Sequence, residues 1–383
     1  MVGVCTKYFH ESYGGMLQAY ATTKALEKRE IEYELVRYEK NLTLTQKVKS
    51  VPRLLNKVLL NDKYEMLLKE VGIRMHPEFA KNNAIRVSEF DKFKKAHYTK
   101  LSPVFKGYSD LCKGAERYSA VITGSDQLWS PAGLPTNFYN LMFVPNDVRK
   151  ISFSSSFGVD EIPQYQKKRT AEYLRRIDFI SVREMRGKEI VKELTGRDVP
   201  VTLDPTLLLS KEEWNVIAGD EKQFGEPYVF AYFLGANKSY REEAKKLAKE
   251  KQLKIVTLRH MDRYNESDEN FGDFAPYDVD PARFLSILKG AEYVLTDSFH
   301  GVCFSVIYEK DFMVFNRYES SSPISKNSRI DSLCYNLGLE GRRYDGDIHR
   351  IDEKTDYDSI NENLFNLKKS SNEYLDKALN GIV

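Results

Sequence analysis

Long hydrophobic runs are missing from this 383-residue chain: no stretch approaches 18 apolar residues, so no segment reads as a membrane-spanning helix. Before Lys7 and Glu11 only Val2 to Thr6 precede the first charges, too short an apolar stretch for a signal peptide, and a cytoplasmic location is expected. Cysteine is scarce, with Cys5, Cys112, Cys303 and Cys334 widely spaced and no C-x-x-C pair, which argues against zinc or iron–sulfur ligation. H-E-x-x-H and paired-aspartate loops are also lacking, so no metal and no other cofactor is expected. Excess charge of either sign is absent too. A net charge of +2, without any recognisable nucleic-acid signature, gives no reason to expect a nucleic-acid partner.

What is present is enough chain for two domains. Short strand-like runs alternate with helical patterns, the sign of parallel sheets covered by helices on both faces. The first set of strands comprises Val2–Cys5, Ala120–Thr123, Ile151–Ser155, Phe179–Val182 and Val199–Leu203; its helices lie near 15–28, 164–176 and 185–194. The second comprises Tyr228–Leu234, Ile255–Leu258, Tyr293–Thr296 and Phe312–Phe315, with helices near 239–249, 281–288 and 328–337. Between them runs Leu203-Asp204-Pro205-Thr206, followed by Ser210, which is suited to cap a helix over 211–217. A domain junction at about 205/206 follows.

A helical insertion over about 41–100 interrupts the first alternation. Within it, Lys47, Lys49, Arg53, Lys57, Lys63, Lys69 and Arg74 outnumber Asp62, Glu65 and Glu70 around the apolar Leu54, Leu55, Val58 and Leu59. Such a helix either exposes a solvated basic face or lies on an anionic membrane surface through Lys47–Lys69.

Candidate chemistry collects where strands end. Thr296-Asp297-Ser298-Phe299-His300-Gly301 puts an imidazole at a strand's carboxyl end and in the first turn of a helix, where open α/β sheets bind ligands and unpaired N–H groups favour anions. His300 is therefore a candidate acid/base, with Asp297 either a helix cap or a second catalytic group. Tyr13-Gly14-Gly15-Met16 follows the first strand; its paired glycines allow close approach of a ligand, although no G-x-G-x-x-G fingerprint is formed. Gly124-Ser125-Asp126-Gln127-Leu128-Trp129 brings together a hydroxyl, a carboxylate, an amide and a ring, suiting either sugar recognition or a capped turn with a packed Trp. In Ser181-Val182-Arg183-Glu184 the guanidinium can hold a carboxylate or phosphate, or merely pair Glu184. His10 is a candidate for the cleft lining, His260 a weaker one, and His76, His97 and His349 read as surface residues.

These strings, with Leu203-Asp204-Pro205-Thr206, occur in an order that resembles the polysaccharide pyruvyl transferase family over about residues 2–340. The resemblance implies two Rossmann-like domains facing across a cleft, as in the glycosyltransferase B fold, with an acceptor side in residues 1–205, a donor side in 206–383 and a last helix returning to the first domain. It also implies transfer of pyruvate from phosphoenolpyruvate, as co-substrate, to hydroxyls of a sugar, on a cell-surface polysaccharide or lipid-linked precursor, to give a cyclic ketal. His300 and Asp126 would then be catalytic, and Arg183 donor-binding. Gly14, Gly15, Ser125, Gln127 and His10 would meet the acceptor. Many family members carry an arginine two residues before the histidine, where this chain has Ser298. Arg329 and Arg317, which follow the histidine's own strand–helix unit, are expected to compensate ahead of Arg259. Two other readings share the fold: a nucleotide-sugar glycosyltransferase, and a sugar-binding protein without catalysis.

Overall fold

The computed structural model describes residues 1–40, 57–219, 223–261, 264–317 and 328–382. Lys47, Lys49, Arg53, Leu54 and Leu55 of the basic segment lie outside the described residues. Two parallel sheets carry the fold. The first contains β1 (Val2–Cys5), β2 (Tyr33–Glu39), β3 (Leu101–Lys106), β4 (Ala120–Thr123), β5 (Arg149–Ser155) and β6 (Phe179–Val182), in the order β3-β2-β1-β4-β5-β6. The second contains β7 (Tyr228–Tyr232), β8 (Lys254–Thr257), β9 (Tyr293–Thr296) and β10 (Asp311–Val314), in the order β10-β9-β7-β8. Every residue of β1, β4 and β7 is buried, as expected of strands covered on both faces.

Strand order reverses between β1 and β4 in one sheet and between β7 and β9 in the other. Such switch points open crevices beyond the strands' carboxyl ends, and they are where the sequence motifs fall. The first helix, α1 (Tyr13–Glu27), buries nearly all its residues because it is packed between the two units. Tyr13 stacks on Phe284 with centroids 4.7 Å apart and donates its hydroxyl to the Val279 carbonyl at 3.0 Å.

The insertion forms two helices, α2 (Lys57–Met75) and α3 (Pro77–His97). Arg86 of α3 is buried and donates to the carbonyls of Arg259 and Pro276, both in loops beyond β8. At the junction, Asp204 caps a short 3₁₀ turn over Pro205–Leu208, and Ser210 forms a capping box with Glu213 at the start of α4 (Lys211–Ala218). The final helix, α5 (Tyr357–Leu379), runs back to the first sheet, where the Ser371 hydroxyl accepts the Leu203 N–H at 3.0 Å and the Tyr374 hydroxyl donates to Ser152 at 2.7 Å. Among the described residues no helix is long and apolar enough to cross a membrane.

Candidate functional site

The chain leaves β9 at Thr296 and enters a nine-residue helix, Phe299–Ile307, with His300 in its first turn. Ser298 caps this helix, its hydroxyl accepting the Gly301 N–H at 3.3 Å. Asp297 does not cap it, which removes one of its two readings. Its two carboxylate oxygens instead accept the N–H groups of Leu234 and Gly235 at 2.6 and 2.7 Å, fastening the loop after β7 to the loop after β9. Burial pushes the Asp297 carboxyl above its ordinary range, against the pull of Arg317 and those two N–H groups.

His300 is 8% exposed and packs against the start of α1. A Cβ added to Gly14 would fall on its Nδ1, well inside van der Waals contact. Gly14 is thus the space into which the imidazole fits, in addition to lining the cavity. Gly15 lines the cavity one position further on and donates its N–H to the Ser12 cap.

Behind His300 lies a buried polar cluster. Asp204, 1% exposed, receives the Ser125 hydroxyl at 2.6 Å and Arg183 Nη1 at 2.8 Å on Oδ2, and the Thr206 N–H and hydroxyl at 3.0 and 2.7 Å on Oδ1. The Nε2 of His300 stands 3.5 Å from the same Oδ2. Burial alone would raise the Asp204 carboxyl, but His300, Arg183 and Ser125 outweigh it and hold the group far below the usual carboxylate range. Arg183 is therefore placed behind the cavity wall, its charge engaged by Asp204 and its guanidinium 4.3 Å from the Phe299 ring centroid. Ser125 is likewise fully buried, with its hydroxyl committed to Asp204 rather than turned to a sugar. Neither is an open ligand contact.

The cavity in front of His300 has room of about 170 Å³ and lies between the units. Asp126, Gln127 and Ser298 line it, as do Arg86, Arg259, Arg317 and Arg329. The lining also holds a second histidine, His260, and the acidic Glu11 and Asp297, and the Arg86 guanidinium is already donated to two backbone carbonyls; the arginines nonetheless suit a small anionic ligand. Arg317, Arg329 and Arg259 all border this same space. Asp126 keeps about a fifth of its side chain accessible, 3.5 Å from Lys7 Nζ and 4.0 Å from Arg183 Nη2. Burial pushes its carboxyl up, yet Lys7, Arg183 and His300 draw it well below the ordinary range. Its backbone has φ of +81°, a region a non-glycine residue enters only when its surroundings hold it there.

Two expected contacts fall elsewhere. His10 is exposed, rests its ring 4.8 Å from that of Phe9, and is not part of the cavity lining. Trp129 offers no ring platform, being fully buried with its indole N–H donated to the Tyr139 carbonyl. Conversely, Asp204, Lys7 and Arg86 belong to the site without having been singled out as site residues. Asp204 had one legible signal, a carboxylate within a motif at the junction; Lys7 and Arg86 had none, because their partners are distant in sequence.

Comparison with known proteins places this geometry in context. The family model for polysaccharide pyruvyl transferase matches residues 13–318, most of the chain. Curated proteins give no match. Among solved structures, a UDP-N-acetylglucosamine 2-epimerase is similar at 12% identity with a TM-score of 0.50, covering 99% of this chain and 94% of that one. The UDP-GlcNAc 2-epimerase from Neisseria meningitidis is similar at 10% identity and 0.46, covering 100% and 94%. The ADP-heptose heptosyltransferase II of E. coli gives 11% and 0.36, covering 96% and 98%. At such identities the likeness concerns the fold: two Rossmann-like units of the glycosyltransferase B type.

Proposed function

Because the chain belongs to the polysaccharide pyruvyl transferase family, we propose that it moves pyruvate from phosphoenolpyruvate to two hydroxyls of a sugar, on a cell-surface polysaccharide or its lipid-linked precursor, closing a cyclic ketal. Two protons leave the sugar. One ends on the donor's methylene carbon, which becomes a methyl group, and the other departs with phosphate as the bond from C2 to the phosphate oxygen breaks.

The observation that carries the reading is His300 facing a cavity bordered by four arginines. His260 borders the same cavity, but His300, in the first turn of the helix after β9, is the imidazole assigned to give a proton to the methylene carbon and recover one afterwards. The arginines would neutralise the donor's carboxylate and phosphate and limit charge build-up at C2. Asp126, held ionised by Lys7, Arg183 and His300, would accept a hydrogen bond from the attacking hydroxyl and orient it. Gln127 adds an amide beside it. Nothing in this sequence of steps requires a metal, so turnover in the presence of a chelator is expected to equal turnover without it.

The test is phosphate release from phosphoenolpyruvate by purified protein, expected only when a sugar acceptor is present. His300→Ala should lower kcat by about 10²-fold or more while leaving the thermal transition in place. Full activity in that variant would remove His300 from the chemistry. Consumption of a nucleotide sugar with release of nucleotide would assign a glycosyltransferase instead. Calorimetric acceptor binding without turnover of either donor would assign a binding protein.

Contact with the inner face of the membrane belongs to the same proposal. Leu60, Tyr64, Leu67, Val71 and Met75 lie exposed along α2, within a segment rich in Lys and Arg, an arrangement that suits an anionic lipid surface bearing the acceptor. Replacing Leu67, Val71 and Met75 with Ser should weaken binding to phosphatidylglycerol vesicles and leave turnover of a soluble acceptor unchanged. Undiminished vesicle binding would discard this part.

A further inference from the structure

The cluster behind His300 is built around a residue to which no role has yet been given. Asp204 lies on the junction between the units and meets both: Ser125 and Arg183 reach it from loops of the first sheet, and His300 from the helix after β9. We propose that Asp204 is the positioning residue for His300, holding Nε2–H toward its own Oδ2 so that Nδ1 is the atom that gives and takes the proton in the cavity. This rests on the reading of His300 as the proton carrier.

Three observations support the assignment. First, Nε2 is buried and makes no hydrogen bond, while Asp204 Oδ2 stands 3.5 Å away. At that distance the carboxylate's charge favours a proton on the nitrogen that faces it. Secondly, the carboxylate is immobile. Thr206 fixes one oxygen, Ser125 and Arg183 fix the other, and these four donors nearly fill its lone pairs, so the imidazole is steered mainly by charge. Thirdly, Nδ1 lies against Gly14, a residue of the cavity lining, so the two ring nitrogens point to different surroundings. A carboxylate on one nitrogen of a histidine fixes which tautomer the other nitrogen presents. Asp126 beside Arg183 and the Cys303 thiol near Thr206 are the other titratable groups facing this carboxylate.

The arrangement links the chemistry to domain packing. The carboxylate, the arginine and the imidazole come from the junction, the first unit and the second unit, so the proton carrier is set only when the units are together.

The decisive measurement is the nitrogen spectrum of uniformly ¹⁵N-histidine-labelled protein, with His300 assigned by its absence from the His300→Gln spectrum. We expect the neutral His300 ring to carry its proton on Nε2 and to leave Nδ1 bare. In Asp204→Asn the Nδ1–H tautomer should become populated, and kcat should fall by about 10²-fold or more with KM for phosphoenolpyruvate little changed. Because that variant leaves buried Arg183 without its nearest counter-charge, the pair Arg183→Met with Asp204→Asn is measured alongside; it should keep the low kcat while recovering stability. A neutral wild-type His300 that carries its proton on Nδ1 overturns the proposal, as does a folded Asp204→Asn protein with wild-type kcat and spectrum. Wild-type protein that shows the expected tautomer but turns over no phosphoenolpyruvate would instead sink the assigned reaction and leave the Asp204–His300 pairing standing.

Discussion

At the scale of single residues the site is shaped by what Gly14 lacks as much as by what His300 carries. An alanine is ordinarily better than glycine within a helix by about 1 kcal/mol, so a change at Gly14 should help α1 in isolation. In this position its methyl group would occupy the place of His300 Nδ1. Gly14→Ala is therefore expected to retain the fold, with a melting temperature within a few degrees of wild type, and to lose most turnover; wild-type phosphate release from the variant would refute the packing argument. The buried carboxyls add a pH dependence whose sign differs within the site. Asp126 and Asp204 are held below their unfolded values, so their contribution is complete above about pH 4 and is lost as pH falls through the folded values. Asp297 and Glu184 are raised by burial, so each favours the folded state only at low pH, and that contribution is lost as pH rises from the unfolded toward the folded value. Urea midpoints should accordingly hold or rise slightly on mild acidification and then drop below about pH 4; a monotonic increase down to pH 3 would contradict this assignment.

At the scale of elements, the sequence pattern is most informative where the chain is buried on both faces. The apolar runs at 2–5, 120–123 and 293–296 announce interior strands, and each is found in place. Two strands escape such a reading. Leu101–Lys106 carries Pro103, which a central strand excludes but an edge strand tolerates, and β3 lies at the sheet's edge. In Tyr33–Glu39 the charges of Glu34, Arg37 and Glu39 blur the apolar pattern, and Glu34 is accommodated because Tyr118 donates its hydroxyl to it at 2.5 Å. The run Val199–Leu203 errs the other way: Val201 makes only a single parallel bridge to Val182, and Pro200 has no N–H to extend the ladder. Helix starts were easier to read, since caps are local. Ser210 accepts the Glu213 N–H at 3.3 Å while Glu213 accepts the Ser210 N–H at 2.9 Å. Ser210→Ala should cost about 1 kcal/mol in urea unfolding without altering KM for either substrate; a change in KM would mean that this helix start is coupled to the cavity.

At the scale of the whole molecule, several described elements join the two units, and three of them bear on the catalytic geometry. One is α1, packed between the sheets; another is α5, which follows the second unit in sequence and packs on the first; the third is α3. Local pattern locates helices of this kind but says little about which distant surface they meet, which is why Arg86 was not foreseen as part of the site. Its guanidinium is almost wholly buried, donates to the carbonyls of Arg259 and Pro276, and stacks 5.0 Å from the centroid of Tyr277. Removing it leaves two carbonyls without their donor and takes one positive charge from the cavity. Arg86→Leu should thus lower stability by roughly 2–4 kcal/mol and raise KM for phosphoenolpyruvate about tenfold. The two effects have different causes and can be separated. Lysine restores the charge but not the planar fork that spans both carbonyls, so Arg86→Lys should recover much of the KM and little of the stability. If Arg86→Leu changes stability alone, α3 serves only to clamp the units together; if it changes both and Lys rescues only KM, the insertion contributes a cation to the donor site as well as holding the cleft closed.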